Sequence, residues 1–137
     1  FIGEAPDMSN AKTDYLEDAL LNHVLRNTGY ASPATVYVGL FTVMPADDGT
    51  GGTEVTGGSY ARQSVTFVAP SAGQVANNAL VQFPTATADW GTVLGMGIFD
   101  NLSGGNLLYY GTLTAPKIVG IGDQISFASS ALTVSET

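Results

Sequence analysis

The sequence predicts a mainly β fold: a single antiparallel β-sandwich of about seven strands, preceded by one N-terminal amphipathic α-helix. Three observations carry this reading. Beyond residue 35, short runs of β-branched and aromatic residues recur at a spacing of about 8–15 residues, separated by turns rich in Gly, Asn and Asp. Only the stretch YLEDALLNHVLR, Tyr15 to Arg26, repeats its apolar residues at three- and four-residue steps. Charged residues are 12% of the chain, against about 25% in an ordinary soluble domain, so surface polarity falls to Gly, Ser, Thr, Asn and Gln. At 137 residues the simplest organisation is a flexible segment over 1–10 and one domain over 11–137, with the helix at 11–27 and the sandwich at 35–134.

In the helix, Leu16, Ala19, Leu20 and Val24 form an apolar stripe that Leu21 and Leu25 widen. Asp14, Glu17 and Asp18 near its start and Arg26 near its end suit the macrodipole, and Gly29 is placed to close it in the left-handed conformation. A helix of roughly four turns is marginal alone, so this one must pack on the following sheet or on a neighbouring subunit. Leu16, Leu20, Leu21, Val24 and Leu25 are therefore the candidate assembly interface.

The strongest strand is Thr35 to Val43, so apolar that both its faces should be covered. Met44 to Ser59, with one Pro and five Gly in sixteen residues, reads as a long exposed loop. Tyr60 to Val68 alternates as a half-buried strand, and Ala79 to Phe83 makes another, ended by Pro84. Thr92 to Phe99 contains Gly95 and Gly97, which signal a bulge or a close backbone approach. Asp100 to Asn106 has the composition of a hairpin loop leading into Leu107 to Thr114. Ala115 to Gly122 turns back through Pro116, and Asp123 to Val134 closes the sheet, kinking between sheets at Ala128 to Ala131.

Composition excludes several functions. Four basic residues against twelve acidic ones leave a formal charge of −8, and no basic patch can be assembled to hold nucleic acid or an anionic membrane. Without cysteine there are no disulfides, thiol nucleophiles or thiolate metal sites. No apolar run approaches the roughly 18 residues of a membrane span. The start FIGEAPDMSN lacks the basic and apolar regions of a signal peptide, and Met8 reads as a natural start, with Phe1 to Asp7 an upstream extension or a cloning remnant.

Candidate chemistry is sparse. His23, the sole histidine, lies mid-helix with no second His or Cys to share a metal or a triad. Ser59 in GGSYA lacks the second Gly and the strand-turn-helix setting of a nucleophile elbow. Asp47, Asp48 and Glu54 on the flexible loop are oxygen ligands of a kind that calcium takes, but not at EF-hand spacing, and they read first as solvated carboxylates. Trp90 beside Asp89 is either a sugar-stacking platform or a plug in one end of the sandwich. Trp90, Tyr60 and Arg62 are accordingly the candidate receptor contacts. The chain reads as no enzyme, with no catalytic residues, cofactor or metal assigned.

Taken together, MSNAKTDYLEDALLNHVLR from Met8, VYVGLFT from Val36, GTEVTGGSYARQSVTF from Gly52, FPTATADWGTV from Phe83, GIFD from Gly97, GNLLYYGTL from Gly105 and GDQISFASSALTV from Gly122 resemble a family of small tailed-bacteriophage virion structural proteins, often labelled tail fibre or tail-associated. The run from Glu54 to Arg62, EVTGGSYAR, is the most specific block. The resemblance implies a non-enzymatic protein of the particle exterior, either capsid-decorating or tail-associated. It would assemble with itself or with other virion proteins, contact neither nucleic acid nor membrane, and be made in the host bacterial cytoplasm. The alternative is a carbohydrate- or receptor-binding module of a phage appendage, which requires an exposed Trp90.

Overall fold

The computed structural model describes residues 7–9 and 11–136. Its elements are β1 (Asp7–Ser9), α1 (Asp14–Leu25), β2 (Val36–Val43), β3 (Thr53–Glu54), β4 (Gln63–Val65), β5 (Gln74–Ala76), β6 (Val81–Gln82), β7 (Gly91–Phe99), β8 (Leu107–Val119), β9 (Ser126–Phe127) and β10 (Thr133–Ser135). Of the segment expected to be flexible, residues 7–9 form a strand, and the rest lies outside the described residues.

A five-stranded sheet runs β3-β2-β7-β8, with β4 also pairing to β2. Opposing it are the β1-β10-β5 sheet and the two-stranded β6-β9 ribbon. Pairing is antiparallel except between β1 and β10, and the layering is sandwich-like. Several strands are short because the chain repeatedly changes sheet. One change falls at the expected kink: Ala131 N–H donates to the Ala128 carbonyl and Ser130 takes φ 68°, carrying the chain from β9 to β10.

That crossing is organised by Asn77, fully buried and unforeseen from sequence. Its side-chain amide donates to the carbonyls of Ala79 and Ala128, both at 2.9 Å, and its oxygen accepts from Leu132 N–H at 2.9 Å. A buried amide is tolerated because its polar groups are met.

Both faces of β2 are covered, as its composition demands. Val38 and Leu40 enter the main core with Met96, Ile98, Phe83 and Phe127. The opposite face carries Phe41, which packs with Phe99, Leu107, Met44 and Tyr110 in a smaller cluster. Gly97 lies under the side chains of Phe41 and Leu107, and the pairing register shifts between Val93 and Gly95. The two strand glycines thus mark both a close approach and a bulge.

Four local expectations are corrected. The helix spans 14–25 instead of 11–27, because Ala11 to Thr13 bond to the edge of β8: Thr13 N–H donates to the Leu108 carbonyl and Tyr110 N–H to that of Ala11. Asn27, at φ 53°, takes the left-handed position assigned to Gly29, which Asn tolerates. The 44–59 loop contributes β3 to the sheet edge. Finally, β8 continues through Pro116 to Val119, because Pro116 falls in the register gap between Thr112 and Lys117 where no ladder N–H is needed.

Candidate functional site

The EVTGGSYAR block begins on β3, crosses a glycine turn and returns toward β4, bringing Glu54, Tyr60 and Arg62 together. Arg62 donates from Nε to Glu54 Oε2 at 2.9 Å and from Nη2 to Oε1 at 2.8 Å, a bidentate pair. Its Nη1 reaches the carbonyls of Asn101 and Gly104, both at 2.8 Å, in the β7–β8 hairpin loop. The guanidinium lies 3.5 Å from the centre of the Phe99 ring. Tyr60 donates its hydroxyl to Glu54 Oε2 at 2.6 Å and accepts from Leu40 N–H at 2.9 Å. Burial, the hydrogen bond to Glu54 and the Glu54 charge all push the Tyr60 phenol well above its ordinary range.

Gly39 of β2 makes room for this cluster. A Cβ there would stand 2.8 Å from both Glu54 Oε2 and the Phe99 ring. On the inner side, Tyr60 stacks on Phe83 at 6.0 Å and meets Trp90 edge-on at 5.4 Å.

Trp90, Tyr60 and Arg62 therefore do converge, but not as a surface contact. Trp90 is 5% exposed and donates its indole N–H to the Gly58 carbonyl at 2.9 Å, so no ring face is offered for stacking a sugar. The Arg62 side chain is 8% exposed and its donors are engaged within the fold. An open cleft of about 410 Å³ lies between the block and Leu102 to Gly104, and the Glu54 and Arg62 groups at its wall already satisfy one another. Sequence reasoning singled out Arg62 but missed its partner. Opposite charges at 54 and 62 flanking a glycine turn were the available signal.

The loop carboxylates do not gather. Glu54 belongs to Arg62. Asp48 accepts from Thr50 N–H at 3.0 Å and from its hydroxyl at 2.7 Å, closing a local turn. Asp47 instead lies with Asp14 and Glu17 of α1, their carboxylate oxygens within 4.8 Å of one another and all three residues on the surface. Asp47 also accepts from the Tyr110 hydroxyl at 2.9 Å. His23, on the exposed side of α1, lies near the Thr28 carbonyl at 3.2 Å, and Ser59 pairs with the Thr87 hydroxyl.

Only the first half of α1 is anchored. Thr13 caps it, accepting from Leu16 N–H, while its own hydroxyl donates to the Leu107 carbonyl at 2.6 Å. Leu16 is buried and Leu20 half-buried, whereas Leu21, Val24 and Leu25 are 55%, 72% and 75% exposed. With Lys12, Glu17 and Leu20 they line an open groove of about 450 Å³.

Fold and site thus define a β-rich structural domain whose most polar motif is an internal clamp and whose helix presents an apolar surface. Residues 11–135 match the family described as Podophage GP4 fiber I protein gp80, and the chain belongs to that family. No curated protein matches the sequence.

Proposed function

We propose that the chain is a non-enzymatic structural protein of a phage virion, a fibre component at the tail, held to other virion proteins through the exposed face of α1. The family supports a virion role. The observation that carries the attachment surface is the helix itself, whose last two turns hold Leu21, Val24 and Leu25 away from their own core. A contiguous apolar strip of this kind is costly in water and is a mark of interaction surfaces. The glycan-binding alternative loses its platform, because Trp90 is inside the sandwich.

Quantitative mass spectrometry of purified particles, referenced to the major capsid protein, tests the reading. A handful of copies in a multiple set by tail symmetry is expected. Hundreds would move the protein to the shell as a decoration, and absence would end the structural assignment.

A further inference from the structure

Building on that reading, we propose that the exposed strip of α1 is a docking groove for an amphipathic segment of a different chain, apolar along one face and ending in lysine or arginine.

The argument is one of charge and placement. Asp14, Glu17, Leu21 and Val24 follow one another at steps of three, four and three, so they lie on one strip of the helix, acidic at its start and apolar beyond. Asp47 adds a third carboxylate at the acidic end. Its side-chain contact with Asp14, followed by burial and the surrounding negative charges, raises the Asp14 carboxyl above its usual range. Glu17 is the carboxylate on the groove wall and Asp14 and Asp47 stand beside it, while Lys12, the cation on that wall, is paired with Glu136. The like-charge repulsion among the three carboxylates is one that an incoming cation would relieve.

A second copy of the chain cannot readily supply that cation. Of its four Lys and Arg, Lys12 is paired with Glu136 and Arg62 with Glu54. Arg26 bonds Asn22 on its own helix and, two residues past Val24, lies on the far side of α1 from this strip, so an antiparallel second copy would turn it away from the carboxylates. Lys117 is half-buried on β8. Each copy would also bring a formal charge of −8 to the contact. A partner helix running antiparallel to α1 would set its C-terminal turn, where lysine is favoured, against the carboxylates.

The test uses the whole chain and a synthetic helical peptide of about 15 residues, with leucines along one face and lysines in its last turn. A companion peptide carries glutamates in place of the lysines. Fluorescence anisotropy should show the lysine peptide binding at least about tenfold more tightly than the glutamate one, with affinity falling between about 50 and 300 mM NaCl. Val24→Asp should weaken binding about tenfold or more even though it adds negative charge, which separates groove docking from general attraction to an acidic protein. Asp14→Asn with Glu17→Gln should weaken binding and flatten its salt dependence.

Equal binding of the two peptides, or binding unaffected by Val24→Asp, overturns the proposal. So does concentration-dependent self-association of the wild-type chain that Val24→Asp abolishes, which would make a second copy the occupant. The functional reading has a separate readout in particles. If Val24→Asp is excluded from virions but wild type ignores the lysine peptide, attachment through α1 stands and the basic partner falls. If Val24→Asp enters virions normally while losing the peptide, attachment through α1 falls.

Discussion

Arg62 concentrates more of the fold in one side chain than any other charged residue described. It joins β3, through Glu54, to the β7–β8 hairpin loop and covers Phe99. Arg62→Ala removes these hydrogen bonds and leaves a partly buried carboxylate without its cation, so we expect a loss of about 3 kcal/mol in urea denaturation. Arg62→Lys should recover little of it, since an ammonium cannot reproduce the fork that meets Glu54 and two carbonyls together. Tyr60 ties into the same network, and because its phenol is raised in the folded state, the stability it contributes is present below the ordinary tyrosine value of 10 and lost as pH rises above it. Following absorbance at 295 nm, Tyr60→Phe should remove one late-ionising tyrosine. The Glu-to-Arg spacing is plain in the sequence, but the two hairpin carbonyls that complete the clamp lie about forty residues away and carry no side-chain signature.

At the scale of the element, α1 divides into an anchored and an unanchored half. Leu16→Ala opens a hole under a buried side chain and should cost about 2–3 kcal/mol, whereas Leu25→Ala, 75% exposed, should stay within about 0.5 kcal/mol. Equal losses in urea denaturation would mean that the whole helix belongs to the core and that no face is free for a partner. The periodicity of the helix was legible from its residues, as was its need for a partner. Which leucines found that partner inside the domain was not, because Leu16 and Leu25 are chemically alike and differ only in what the fold brings beside them. The β7–β8 hairpin was legible for the opposite reason: its Asn-, Asp- and Gly-rich loop is a local signal, and Asp100 N–H bonds the Asn106 carbonyl as such loops require.

Over the whole molecule, the beginning of the described chain is bound to its end by the β1–β10 pairing and by a side-chain contact at Glu136. Glu136 accepts from both Lys12 and the Tyr109 hydroxyl. Burial pushes its carboxyl upward, but the hydrogen bonds from Lys12 and Tyr109 and the Lys12 charge outweigh it and hold it below the usual value. A lowered carboxyl contributes stability above its unfolded value and loses it as pH falls through the folded one. Glu136→Gln should therefore narrow the stability difference between neutral and acid pH, measured by denaturation across the carboxylate range. Because the group is partly solvated, the effect should be small and should diminish in high salt.

The sequence alone determined the fold class, the N-terminal helix, the sparse but net acidic charge and the exclusion of thiol chemistry and of a basic patch. Each follows from composition or from a period carried by neighbouring residues. Tertiary structure alone decided that Trp90 and Arg62 face inward, that Asn77 governs the sheet crossing, and that Asp47 leaves its loop neighbours for the start of α1. Those outcomes depend on residues distant in the chain becoming neighbours in space, and no local pattern records them.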